Sequence, residues 1–171
     1  MNYASIKHFD TSDGSGVRTS LFVSGCHWHC KGCFNEIAWD KNYGSVFTKE
    51  TEDAIIESLK PGYIAGLSLL GGEPFEDYNV PTLIHLCERV RRECPGKTIW
   101  AWTGGLVEHH WHDDANTLKL LTLLDVLVDG PFVESKKNLN LKFKGSTNQR
   151  VINMRQSLKI GKVILLDGYN D

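Results

Sequence analysis

The chain has no uninterrupted apolar run of about 18 residues, the length a helix needs to cross a bilayer. Its N-terminus carries no continuous apolar signal segment either. Both absences point to a cytoplasmic protein away from membranes. Charge of one sign is also lacking. The 19 Lys and Arg against 21 Asp and Glu leave a net charge of −2, which argues against whole-surface attraction to nucleic acid. Cysteine is scarce and odd in number: there are five, three of them bunched. That is a poor disulfide framework and fits a reducing compartment. Internal repeats, linkers and low-complexity segments are absent. The composition, 41% hydrophobic and 23% charged over 171 residues, is that of one globular domain spanning 1–171. A chain of this length buries a sizeable core without disulfides.

The bunched cysteines are Cys26, Cys30 and Cys33, spaced C-x3-C-x2-C in a loop at 26–33 that follows an apolar segment. Thiolates are the usual ligands of iron–sulfur clusters, which normally take four. A set that stops at three leaves one iron of a four-iron cluster open, and an open metal position is what catalysis requires. Two other chemistries suit the same residues. Cys30 and Cys33 form a C-x-x-C dithiol. With His27 or His29 the cysteines also make a zinc-ligand set.

Hydrophobic periodicity places strands at 18–24, 66–70, 98–102, 126–128, 150–154 and 162–166. Helices are expected at 48–59, with Thr48 as N-cap, and at 80–93 and 117–124. Cys87 and Cys94, seven apart, share one face of the second helix and read as buried, inert thiols. Strands and helices alternate with connections long enough for parallel crossovers, so the fold class is α/β with a mainly parallel sheet. The cysteine loop, Gly71–Pro74, Thr103–Gly105 and Asp129–Phe132 all follow strands. They should gather at the carboxyl edge of the sheet, where such folds place their sites. The chain is too short for eight strands and eight helices, so a partial, open (β/α) barrel is expected.

Together these motifs carry a resemblance. C-x3-C-x2-C after one strand and Gly71-Gly72-Glu73-Pro74 after the next resemble the radical S-adenosylmethionine superfamily. Asp13-Gly14-Ser15-Gly16-Val17-Arg18 looks like the D-G-x-G-x-R of glycyl-radical activating enzymes. Gly32-Cys33-Phe34-Asn35, Trp102-Thr103-Gly104, Asp129-Gly130-Pro131-Phe132 and residues 145–150 narrow the resemblance to the activases of anaerobic ribonucleotide reductase. Gly32 departs from the aromatic often found before the last cysteine in the wider superfamily, a departure these activases share. The resemblance implies a 4Fe-4S cluster on Cys26, Cys30 and Cys33, with S-adenosylmethionine on the open iron. It implies a 5′-deoxyadenosyl radical that takes hydrogen from a glycine of the reductase large subunit, and a low-potential electron donor such as reduced flavodoxin. Gly32, Cys33, Phe34, Gly71, Gly72, Glu73, Thr103 and Asp129 are the implied cofactor-binding residues. A different glycyl-radical enzyme or a small-molecule radical substrate is the alternative, and a zinc-binding interaction module the remote one.

Several residues stand outside these assignments. Arg18 reads equally as an ion-pair partner or a substrate contact, and residues 148–150 as a sheet brace or part of the site. Residues 109–114 hold metal-ligand types but read as a surface loop or helix start. Residues 135–162 carry eight Lys and Arg and no acid, whereas 1–134 hold 11 against 19, a balance of −8. That basic stretch, with Trp28 and His29, is the expected partner contact. The first dozen residues and those after about 158 carry no assignable signal.

Overall fold

The computed structural model describes residues 1–170. Seven strands form one sheet: β1 (Asn2–Asp10), β2 (Val17–Val23), β3 (Ser45–Val46), β4 (Ile64–Gly71), β5 (Thr98–Trp102), β6 (Val126–Asp129) and β7 (Arg150–Asn153). Their order is β3-β1-β2-β4-β5-β6-β7. The four central strands run parallel, and β1, β3 and β7 pair antiparallel at the flanks. The two outermost strands do not meet, so the sheet is an open, partial barrel. The helices are α1 (Lys49–Leu59), α2 (Val80–Glu93), α3 (Val107–His110), α4 (Ala115–Leu123) and α5 (Met154–Ile160).

Alternation along the strands divides the two faces. Leu21 and Val23, Leu67 and Leu69, Ile99 and Ala101, and Leu127 join one apolar cluster. The apolar stripes of α1 (Ile55, Ile56, Leu59), α2 (Leu83, Leu86, Cys87, Val90) and α4 (Leu120, Leu121) cover it. Each such fully buried aliphatic side chain stabilises the fold by roughly 1.5–3 kcal/mol. The opposite face is the concave interior of the partial barrel. It carries Trp100, Val126, Val128 and Val151, packed by Trp102, Phe143, Leu166 and Tyr169. It also carries polar residues: Arg18 and Ser20 of β2 and Ser68 of β4, all fully buried.

The helix at 80–93 and the strand at 98–102 lie where periodicity puts them, and Thr48 caps α1 by accepting from the Thr51 amide. Other elements differ. The signal-free N-terminus forms the nine-residue β1, whose mixed exposure hides it from alternation. The helix expected at 117–124 begins at Ala115, because the Asp114 carboxylate accepts from the Asn116 and Thr117 amides. Met154 ends no strand; it opens α5, with Asn153 as N-cap. Residues 162–166 form no strand but a single bridge, Leu165 to Ile152.

Arg18 is fully buried and, among the described residues, has no carboxylate within ion-pair distance, so the ion-pair reading fails. All its N–H groups are satisfied inside the barrel. Nε donates to Ser68 Oγ (2.7 Å), Nη1 to the Ser15 carbonyl (3.1 Å) and Thr98 Oγ1 (2.9 Å), and Nη2 to the Leu67 (2.8 Å) and Thr98 (3.0 Å) carbonyls. The guanidinium lies 5.4 Å from the Trp100 ring centroid. Burial lowers its pKa to about 10.

Candidate iron–sulfur site

Because β2, β4, β5 and β6 are parallel, the turns that follow them lie along one edge. The cysteine loop leaves β2 and folds back on itself: the Gly25 amide donates to the Ala38 carbonyl (2.7 Å) and the Cys26 amide to that of Trp39 (3.2 Å). Side chains other than the cysteines pin it. The amide and Nδ1 of His27 meet Glu76 Oε1 at 2.8 and 2.6 Å. His29 stacks on Trp39 with centroids 4.4 Å apart. Trp28 Nε1 donates to Glu73 Oε2 at 2.6 Å. Neither histidine is turned toward a shared ligand set with the thiols.

The three thiols are half-buried and form no disulfide. Among the described residues no trio of His, Cys, Asp or Glu is gathered closely enough to hold one metal ion. Three thiolates, with His27 held by Glu76 and His29 stacked on Trp39, are the donor chemistry of an iron–sulfur group. Burial, with added repulsion from Glu73 and Cys30, pushes the Cys26 thiol up to about 11, against the pull of the Trp28 and His29 amides.

A cleft of about 130 Å³ is lined by Cys26, Cys30 and Cys33 together with Gly71, Gly72, Glu73 and Thr103. A second cavity of about 460 Å³ adjoins it, and Cys33, Phe34, Phe132 and Gln149 border both. Gly32 lines the second. Together they fall in the range of small-ligand sites, about 300–1,000 Å³. Gly72 is required for the joint between β4 and the cysteine loop. A Cβ there would stand 2.3 Å from the Gly25 carbonyl oxygen, and the Glu73 amide donates to that same oxygen at 2.7 Å.

Glu73 is 1% exposed. Its Oε2 accepts from Trp28 Nε1, Thr103 Oγ1 (3.0 Å) and the Gly104 amide (2.9 Å), and its Oε1 from the Phe75 amide (3.0 Å). Burial raises its pKa, while these donors and the nearby His110 pull it down. Gly104 and Gly105 form a thin wall behind this carboxylate. The Trp28 ring presses on Gly104, and a Cβ on Gly105 would lie 2.7 Å from His110 Nε2.

Asp129 does not border either cavity. It is fully buried, accepting from the Val107 amide (2.9 Å) and from Arg150, which also pairs with Glu108. Its neighbour Gly130 reaches the cleft and donates its amide to the Gly105 carbonyl (2.8 Å). Arg150 is therefore a brace. Gln149 ties loops together, its Oε1 accepting from the Gly145 and Ser146 amides and its Nε2 donating to the Gly130 carbonyl. Sequence reasoning missed His110, placed with the surface stretch 109–114. Only its position three residues after the buried Val107, on one side of the turn, marks it.

Residues 12–152 match a family model described as a 4Fe-4S single cluster domain. The anaerobic ribonucleoside-triphosphate reductase-activating protein of Escherichia coli (strain K12) is 43% identical over 157 residues, 91% of this chain and 100% of the relative. The protein of that name from Vibrio cholerae is 42% identical over 151 residues, 87% of this chain and 96% of the relative. The one from Enterobacteria phage T4 is 37% identical over 153 residues, 88% and 93% respectively.

Proposed function

From the premise that the chain belongs to the family of anaerobic ribonucleoside-triphosphate reductase-activating proteins, we propose that it installs a glycyl radical on such a reductase. The observation that carries this reading is the single cleft that joins the three cysteines to Gly72, Glu73 and Thr103. Bound there, a 4Fe-4S cluster with S-adenosylmethionine would supply one-electron cleavage of the sulfonium carbon–sulfur bond and so the means to remove hydrogen from a glycine Cα of the reductase.

The chain's own residues position and shield. Cys26, Cys30 and Cys33 would hold the cluster and leave one iron for the cosubstrate. Glu73, buried and supplied with donors, offers acceptor capacity to the methionine ammonium. Gly71 and Gly72 let the cysteine loop settle against β4. Gly32 and Phe34 border the larger cavity, where the adenosyl part fits. Thr103 orients Glu73, and Asp129 acts at one remove by fixing the turn that carries Gly130. Phe34, 86% exposed beside Cys33, sits where a partner segment would arrive. Lys136 and Lys137 extend that contact, and a low-potential donor such as reduced flavodoxin supplies the electron. No helix among the described residues is long and apolar enough to cross a membrane.

The test is anaerobic reconstitution with iron and sulfide, followed by electron paramagnetic resonance with and without S-adenosylmethionine. The expected result is a four-iron signal that changes with the cosubstrate, then a glycyl radical on added anaerobic reductase. A Cys30→Ser chain should lose both colour and cosubstrate cleavage; retention of both excludes Cys30 as a ligand. Cosubstrate cleavage without a radical on the cognate reductase would favour another acceptor.

A further inference from the structure

His110 belongs to none of the motifs and does not border the cleft, yet one hydroxyl links it to Glu73. It is 9% exposed, with its ring stacked on Phe75 at a centroid distance of 4.6 Å. Nδ1 lies 2.9 Å from Asp113 Oδ2, and Nε2 lies 3.1 Å from Thr103 Oγ1. That hydroxyl is 3.0 Å from Glu73 Oε2 and accepts from the Gly105 amide at 3.0 Å.

A threonine hydroxyl has one proton and two acceptor lone pairs. With only Nδ1 protonated, toward Asp113, Nε2 of His110 becomes an acceptor and competes with Glu73 for the single hydroxyl proton. With only Nε2 protonated, Nδ1 turns a lone pair on the Asp113 carboxylate. With both nitrogens protonated every site is used: Asp113 accepts from Nδ1–H, Thr103 accepts from Nε2–H and from the Gly105 amide, and the hydroxyl proton goes to Glu73. The charged groups that face the ring agree with that state. Asp113 faces it from its own turn, and Glu73 faces it through Thr103. Phe75, stacked on the ring, and Gly105, beside Nε2, carry no charge.

We propose that His110, as an imidazolium held between Asp113 and Thr103, is a positioning residue that commits the Thr103 hydroxyl to Glu73 and keeps Glu73 an ionised acceptor for an ammonium group in the cleft. Oε2 is filled by three donors, whereas Oε1 accepts only from the Phe75 amide and has a seat left. Naming that ammonium as the α-amino group of S-adenosylmethionine rests on the function proposed above; the protonation relay does not.

Two variants test this. His110→Phe keeps a ring on Phe75 and removes both N–H donors. Asp113→Asn removes only the charge that favours the imidazolium, from a half-exposed position, and carries the test if the first variant fails to fold. The first readout needs no ligand: difference infrared spectra against Glu73→Gln at neutral pH. Wild type should show an ionised Glu73, and both variants the carbonyl stretch of a protonated carboxylic acid. The Trp28 indole N–H resonance, assigned with Trp28→Phe, should move with it. An ionised Glu73 in both variants overturns the proposal. The second readout is equilibrium binding to the reconstituted protein. S-adenosylmethionine should bind the variants on the order of ten- to a hundredfold more weakly, while an analogue lacking the α-amino group should bind variants and wild type alike. Equal binding of S-adenosylmethionine despite a protonated Glu73 overturns the ligand half. If wild type itself binds none, the functional reading fails, and the infrared result still decides the role of His110.

Discussion

Replacing Arg18 with methionine tests what a guanidinium buried without a carboxylate contributes. Burial, partly offset by the Asp125 and Asp10 charges, lowers its pKa from 12.5 to about 10, which weighs roughly 3 kcal/mol against the buried charge. Against this stand five hydrogen bonds from a charged donor, each contributing about 1.5 kcal/mol at the low end. The net stabilisation is about 4 kcal/mol. Methionine in the same space recovers roughly 1–2 kcal/mol by apolar burial. Arg18→Met should therefore destabilise the fold by about 2–3 kcal/mol. Arg18→Lys should be little better, because one ammonium with three donors leaves two of the five acceptors unpaired. The assay is urea unfolding followed by tryptophan fluorescence. With a slope of about 2 kcal/mol per molar, the midpoint should fall by roughly 1–1.5 M with the slope unchanged. A wild-type midpoint for Arg18→Met, or full rescue by lysine, would refute the reasoning and reopen a role for Arg18 outside the fold.

Three further outcomes follow from the geometry. Asp13, raised to about 7 by burial and by its neighbour Asp10, binds a proton in the folded state that the unfolded chain releases near pH 4. Stability from this group therefore falls as pH rises from about 4 to 7 and stays low above. Asp13→Asn should gain about 1 kcal/mol over wild type at pH 8, after solvent screening of this half-buried carboxyl, and little at pH 4; melting curves that stay parallel across that range would contradict it. Gly72→Ala drives a Cβ into the Gly25 carbonyl, so the reconstituted protein should carry less than half the wild-type iron, and full iron content would show that the loop can shift. Lys136→Glu with Lys137→Glu should slow association with the reductase at low salt, with the difference vanishing at high salt; unchanged binding removes the pair from the interface.

The parallel core was legible because its strands are short apolar runs closed by glycine-bearing turns, and α2 because Leu83, Leu86, Cys87 and Val90 keep helical spacing. The flanking strand β1 was not, since neither of its faces is uniformly buried. Residues 162–166 have strand-like composition but extend past β7 with one bridge only. At the site, the cysteines, Gly72 and Glu73 declare themselves by motif. Arg18 does not, because which acceptors surround a cation is settled by β4 and β5, about 50 and 80 residues away. His110 is hidden for the same reason: its partner Thr103 is a neighbour only after Gly105 has turned the chain. The basic stretch shrinks once folded, as Arg150 and Arg155 turn to Asp129, Glu108 and Asp125.

The sheet order also sets a schedule. Cys26, Cys30 and Cys33 are synthesised well before Glu73, Gly104 and Gly130, which wall their cleft. At about 5–20 residues added per second, the interval between Cys33 and Gly130 is roughly five to twenty seconds. Parallel strands joined through helices pair late, because each crossover must close before it gains contacts. For that interval the thiols stand on a nascent chain without floor or wall, open to oxidants and to competing metals. Iron that arrives after β6 has docked meets a shaped receptacle at the carboxyl edge of the sheet, walled by the turns after β4, β5 and β6. The order of synthesis thus favours filling the cysteine loop last.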